Sequence, residues 1–430
     1  MNCRNLILSI LTLAVLCNYS TFGQIVTEVY ATGLTNPIGL TIDGSGNLWV
    51  CEQGTGSDDS RVSIVTTNGA VYPFLINLPS EIVQGDPIGA EHVQFDIDGK
   101  LLIVQGEGID SLSESILIVD TSGFTPGNPP LTRNDIEAIY NIGDFSINHG
   151  GETTNPFSIV IGPNDDWFIS DAGFNGVIKR ERSSGDLSVF TQIASSVTTG
   201  IVYTGTNFFL GSLTGFPFPT GGAKIYSVDL SGSSSVYQDQ LTTIIGVQID
   251  PLDNKLVALQ YGEFGAGFQS NTGALYKINN SNVDTLIYGL NFPAGMVFNS
   301  SGELFISSFA DGEIIRVTGI PLGIHTDNDN TPLKYNLIQN YPNPFNPSTK
   351  ISWQSPVSGW QTIKVYDVLG NEVSTLVDEY KPAGRYEVEF QSTVGSLQLA
   401  SGVYFYKLQV YPAASGAGSF VETKKMILLR

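Results

Sequence analysis

Residues 294–308 read AGMVFNSSGELFISS. A small residue opens an alternating apolar run, Asn299 to Gly302 supplies a turn, and LFISS is a second, strongly apolar run. Period-two alternation marks a strand, and Asn, Ser and Gly between two such runs is the chemistry of a tight hairpin. The same unit recurs as IGLTIDGSGNLWVCE (38–52), EHVQFDIDGKLLIVQ (91–105), FSIVIGPNDDWFISD (157–171), TGIVYTGTNFFLGS (199–212) and IGVQIDPLDNKLVALQ (245–260). Aligned on Leu48, Leu101, Trp167, Phe208, Leu256 and Leu304, the six copies are spaced by 53, 66, 41, 48 and 48 residues. That is close to the period of a four-stranded propeller blade.

Two further strand-like runs follow each copy. Third runs are RVSIVTT, SILIVDT, GVIKRER, AKIYSVD, ALYKINN and EIIRVTG; fourth runs are VYPFLIN, IEAIYNI, LSVFTQI, VYQDQLT and VDTLIYG. The missing fourth run is IVTEVY at residues 25–30, ahead of the first copy. Supplying it from the N-terminus closes the ring and removes an open sheet edge. The expectation is an all-β chain with a six-bladed β-propeller over 24–318, closed by its N-terminal strand.

Charge separates this array from the C-terminal quarter of the chain. Residues 24–332 hold 10 basic and 34 acidic side chains, and residues 333–430 hold 9 and 7. The whole chain of 430 residues carries a net charge of -21, which speaks against nucleic acid and anionic membrane surfaces as partners. Between the halves, GIPLGIHTDNDNTP (319–332) has the composition of a linker; Asp327 to Asn330 lack the terminal Glu of a calcium loop. At the other end, residues 1–23 combine Arg4, an apolar run from Leu6 to Leu16 and a small, polar finish, the layout of a signal peptide. Its removal takes Cys3 and Cys17 and leaves Cys51 alone, so the mature chain forms no internal disulfide. No later stretch is apolar for long enough to form a membrane helix.

Function in such a ring is expected at one face. The residues ending the second runs, Glu52, Gln105, Asp171, Ser212, Gln260 and Ser308, form a ring around the channel mouth, joined by His92 and Ser158. Behind them come Gly-rich loops carrying Phe174, Phe216, Phe218, Tyr261, Phe264 and Phe268. A polar ring rimmed by aromatics on loops is the default binding site of this scaffold. Glu52 and Asp171 are its only acids; with Asn155 and Asn175 as neutral oxygen donors they compose a site for a divalent ion such as calcium. Each of these polar residues has a second reading, in which its own loop satisfies it. His92 and His149 fit structural and loop roles, and Cys51 a buried inert thiol. There is no HExxH, CxxC, GxSxG or phosphate loop. The leading expectation is a binding protein for a small molecule, glycan or protein at the mouth; the alternative is a metal-dependent hydrolase.

The phrases GLTNPIGL (33–40), TNPFSI (154–159), SDAGFNGVIK (170–179) and LTGFPFPTGGAKIY (213–226) resemble the ScyD/ScyE propeller family, related to the NHL and SMP-30-like families. The resemblance implies a secreted or periplasmic six-bladed propeller. The metal-dependent lactonases among the SMP-30-like relatives imply, ring position by ring position, ligand roles for Glu52, Asn155 and Asp171.

From Leu337 the chain reads LIQNYPNPFNPSTKISW, IKVYDVLGNEVSTLV, KPAGRYEVEF and SGVYFYKLQV and ends in ETKKMILLR. Alternating runs broken by Pro, Gly and Asn predict a small Ig-like β-sandwich of about seven strands over 333–430. YPNPFNPST, KVYDVLGNEV, SGVYFYKL and KKMIL resemble the type A sorting domain of the type IX secretion system. That resemblance implies export, with the secretion machinery as a partner, and a secreted or outer-membrane surface location.

Overall fold

The computed structural model describes residues 25–279, 282–321, 335–357, 359–381, 384–394, 397–412 and 419–429. The expected signal segment (1–23), most of the expected linker and Asp327 to Asn330 lie outside them. The described chain is built almost wholly of strands. Its longest helix is the six-residue Gly143–Asn148, and no helix is long and apolar enough to cross a membrane.

Six four-stranded antiparallel sheets make up the large module. In five of them the strands follow the chain, as in the first: Pro37–Ile42, Leu48–Glu52, Ser60–Val65, Val71–Leu78. The sixth takes Pro293–Phe298, Leu304–Ser308 and Glu313–Thr318 from its own end and Val26–Thr32 from the other. Val26 faces Thr318 and Thr32 faces Glu313 across that seam.

The innermost strands of the six sheets are Pro37–Ile42, Ala90–Phe95, Pro156–Ile161, Thr198–Tyr203, Ile244–Ile249 and Pro293–Phe298. Each touches the next in that order, and the last touches the first, so the arrangement is propeller-like. The third residue of each is Gly39, His92, Ser158, Gly200, Gly246 or Gly295, and at Gly39, Gly200 and Gly295 the missing side chain is a packing requirement. A Cβ on Gly39 would land on Glu91 O and within 2.7 Å of His92 Cα; one on Gly200 would sit 2.8 Å from Gly246 Cα; one on Gly295 would land on Ile38 O. Close approach of neighbouring backbones thus depends on missing side chains.

Apolar residues of the second and third strands fill the space between sheets. Trp49, Phe74, Val93 and Ile103 share one cluster across the first two sheets, and Leu102, Ile169 and Ile178 share another across the second and third. Cys51 is fully buried and burial pushes its thiol well above the usual value, so it is an inert core residue. Ile320, the second residue of the expected linker, is buried against the sixth-sheet cluster. Pro321 O accepts from the buried Lys277 Nζ at 2.9 Å, which also pairs with Asp250 and Asp253 at 2.8 and 2.7 Å. The chain therefore stays attached to the ring for three residues beyond Thr318.

In the C-terminal module, Asn336–Leu337, Ser348–Ser355 and Gly384–Gln391 form one sheet. Glu372–Lys381, Gly359–Tyr366, Gly402–Pro412 and Phe420–Leu428 form the other. Leu337, Ile351, Trp353 and Phe390 of the first pack with Ile363, Val365, Tyr406 and Leu408 of the second in a single core. Trp353 Nε1 is satisfied there by Gln361 Oε1 at 2.8 Å.

Candidate functional site: the loop face and the channel

Register places the six ring residues at one level. Glu52 faces Pro37, Gln105 faces Ala90, Asp171 faces Pro156, Ser212 faces Thr198, Gln260 faces Ile244 and Ser308 faces Pro293. Each is opposite the first residue of an innermost strand, and in every sheet the register shifts immediately afterwards. Equivalent position does not make these side chains a shared site. All six are buried.

Glu52 accepts from Arg61 Nε and Nη2 (2.7 Å each), Ser63 Oγ (2.5 Å) and Thr35 N (2.6 Å). Asp171 accepts from Ser146 Oγ (2.6 Å), Thr154 Oγ1 (2.7 Å), Asn155 N (2.8 Å) and Phe174 N (3.0 Å). Four donors on each carboxylate fill its lone-pair directions. Gln105 donates to Pro79 O at 3.0 Å, Ser212 to Lys224 O at 3.0 Å, and Ser308 to Asn291 O at 2.9 Å. Gln260 donates to Thr272 O and accepts from Tyr276 Oη. These side chains bond to nearby strand and loop groups rather than to one another, and Gln105 Oε1 is buried with no partner among the described residues.

The neutral donors follow the same logic. Asn155 Oδ1 accepts from Glu107 N at 3.2 Å, and Asn175, at φ 58°, accepts from Val197 N at 2.7 Å. Among the described residues no group of three or more His, Cys, Asp or Glu side chains has the arrangement to hold a metal ion. Phe174 is fully buried and belongs to the core, not the rim. His149 stacks on Phe145 with ring centroids 3.9 Å apart and donates from Nδ1 to Phe145 O, a loop role.

The remaining aromatics cluster on two neighbouring loops. Phe216 contacts Phe218 and Phe264 with centroids 6.0 and 5.7 Å apart; Phe264 contacts Phe268, which contacts Tyr261, at 5.0 Å each. These rings come from the loops that follow Phe208–Ser212 and Leu256–Gln260. Phe216 remains 77% exposed, edge-on to Phe218 and Phe264.

His92 lines the central channel, a space of about 190 Å³ bounded by the innermost strands. Burial lowers its pKa to about 4, so it is neutral, and Nδ1 has no partner among the described residues. Beside it in the lining stands Glu91, which the repeat pattern alone does not mark as a site residue. Burial raises the Glu91 carboxyl to about 8 against hydrogen bonds from Gln53 and Gly89. On the loop face Glu114 rises to about 7, through desolvation and then the charges of Glu107, Asp171 and Asp144. Glu91 had a signal in its column of the repeats: Ile38, Phe157, Thr199, Ile245 and Ala294 occupy its place in the other copies.

Residues 339–427 match the family of secretion system C-terminal sorting domains. The tail is a type IX sorting domain. The protein is therefore secreted or displayed at the cell surface, and this tail engages the secretion machinery. No curated protein matches the chain. Among solved structures, a streptogramin B lyase is similar at 13% identity and a TM-score of 0.45, covering 68% of this chain and 97% of its own. A Bacteroides thetaiotaomicron protein of unknown function is similar at 10% and 0.48, covering 68% and 76%. A Trichoderma reesei enzyme of carbohydrate-active family AA12 is similar at 11% and 0.45, covering 69% and 96%. At this distance no residue role passes from them to this chain.

Proposed function

We propose that the large module is a closed six-bladed propeller acting as a secreted or cell-surface binding protein, with an Ig-like sorting domain behind it. The phrases shared with the ScyD/ScyE propellers support the same reading. The observation that carries it is Phe216, an aromatic ring held 77% exposed and edge-on against the half-buried rings of Phe218 and Phe264. Phe216 is part of one contiguous aromatic patch with Phe218, Phe264 and Phe268, and a contiguous exposed apolar patch marks an interaction site. An exposed ring wedged edge-on by its neighbours offers a flat, low-entropy platform for another ring or for the apolar face of a sugar. Glu263, whose carboxylate accepts from Tyr288 Oη at 3.4 Å, and Gln269 lie on one of the same loops and supply polar contacts for hydroxyl groups. The ligand class is a glycan bound without chemistry. The hydrolase alternative draws no support from Glu52 and Asp171, whose oxygens are already saturated by protein donors. The test is a glycan panel screened with the full chain and with Phe216→Ala: binding lost in the variant at unchanged fold supports the reading, and a panel with no binder, or binding indifferent to Phe216, rejects it.

A further inference from the structure

On the face opposite those loops, a crevice of about 310 Å³ opens between the second and third sheets. Its walls are Ile97, Ile118, Ala138 and Ile161, with Tyr140 and Trp167 deeper in. Arg180, directly opposite Trp167 in the strand register, packs against both aromatic rings, which meet edge-to-face. Its guanidinium carbon stands 3.9 Å from the Tyr140 centroid and 4.3 Å from the Trp167 centroid. The side chain is 8% exposed, Nε is buried without a partner, and the residue makes no ion pair among the described residues.

An unpaired guanidinium this deeply buried is unusual, because a desolvated charge ordinarily needs a counter-charge. Every acid of the same crevice is committed elsewhere. Asp98 and Asp165 hold Arg182, at 2.8 and 3.3 Å, Glu137 holds Lys100, and Asp96 accepts from the amides of Asp98 and Lys100 at 2.9 Å each. The two perpendicular rings, with centroids 5.5 Å apart, pack against adjacent sides of the guanidinium, and its unpaired N–H groups are left to donate. An edge of parallel N–H groups matches the two oxygens of a carboxylate. The volume admits a small ligand, and the isoleucine walls favour an apolar body behind the head group. The acidic rim opposes a second negative charge.

The geometry points to a binding site for a small monocarboxylate with an apolar body, seated on the edge of Arg180. It is separate from the aromatic platform and does not depend on it. The experiment uses the full chain, with isovalerate and phenylacetate as probes and inorganic phosphate as comparator, read by thermal shift and calorimetry. Expected is a rise in melting temperature with either carboxylate, none with phosphate, and binding weakened roughly tenfold or more in Arg180→Lys, which keeps the charge and loses the fork. Ile97→Glu alters an exposed wall residue, 61% accessible, and is expected to abolish binding in a chain that melts as the parent does. No binding of either carboxylate by the parent, phosphate bound as well as they are, or undiminished binding in Arg180→Lys or Ile97→Glu would each overturn the assignment.

Discussion

Gln53 Nε2 donates to Glu91 Oε1 at 2.6 Å, tying the loop after the second strand of the first sheet to the innermost strand of the second. The carboxyl it holds has been lifted by burial from its ordinary 4.5 to about 8. Between those two values the folded chain keeps a proton that the unfolded chain has released, so stability falls as pH rises through the window. Glu91→Gln removes the titration and keeps the hydrogen-bonding outline. Its melting temperature relative to the parent is expected to climb between about pH 5 and about pH 8, reaching an advantage of a few kcal/mol at most. A difference that stays flat across that range would show that Glu91 titrates normally.

Glu52 and Asp171 are structural by the geometry of their donors. Glu52→Ala and Asp171→Ala are expected to cost about 2–4 kcal/mol each, since buried donors lose their acceptor. Urea unfolding measures this. The parent is expected to melt at one temperature in EDTA and in excess calcium; a calcium-dependent rise abolished by Asp171→Ala would restore the metal reading.

Gly295→Ala drives a methyl group into Ile38 O on the neighbouring innermost strand. Backbone cannot yield there as a flexible side chain would, and a loss above about 3 kcal/mol is expected. Gly44→Ala meets nothing within 4 Å and serves as the control in the same denaturation series.

Phe216→Ala separates binding from folding. Because the ring is 77% exposed, stability is expected to move by no more than about 0.5 kcal/mol. Glycan binding on a panel is expected to disappear.

Deleting residues 25–32 uncovers Glu313–Thr318, which pairs with Val26–Thr32 in the intact ring. An open edge of this kind recruits other strands. Size-exclusion chromatography is expected to show oligomers or aggregate where the parent runs as one species; a well-behaved monomer would argue that the seam is dispensable.

Strands were the part of this chain open to reading, and the reason is visible in residues such as Leu48, Leu256 and Leu304. Each sits at the same place in a repeated hairpin, so period, turn chemistry and register agree. Side-chain direction was harder. Glu52 and Asp171 sit where the repeats put them, yet the groups that capture them, Arg61 at the start of the third run and Ser146 on a six-residue helix outside the repeat, are not paired with them by the repeat. Glu91 could be found by alignment, as the one acid in an otherwise uncharged column. Arg180 could not: Trp167 is its hairpin partner, but Tyr140 arrives from another sheet.

The seam between Val26–Thr32 and Glu313–Thr318 also has a meaning in time. Its two halves are separated by almost the whole large module, so the first described strand of that module waits for its last. The sorting sequence is translated only after that partner. A chain broken off before residue 318 is therefore left both unsealed and without the C-terminal sorting domain, so the order of the chain itself withholds that passport from unfinished product.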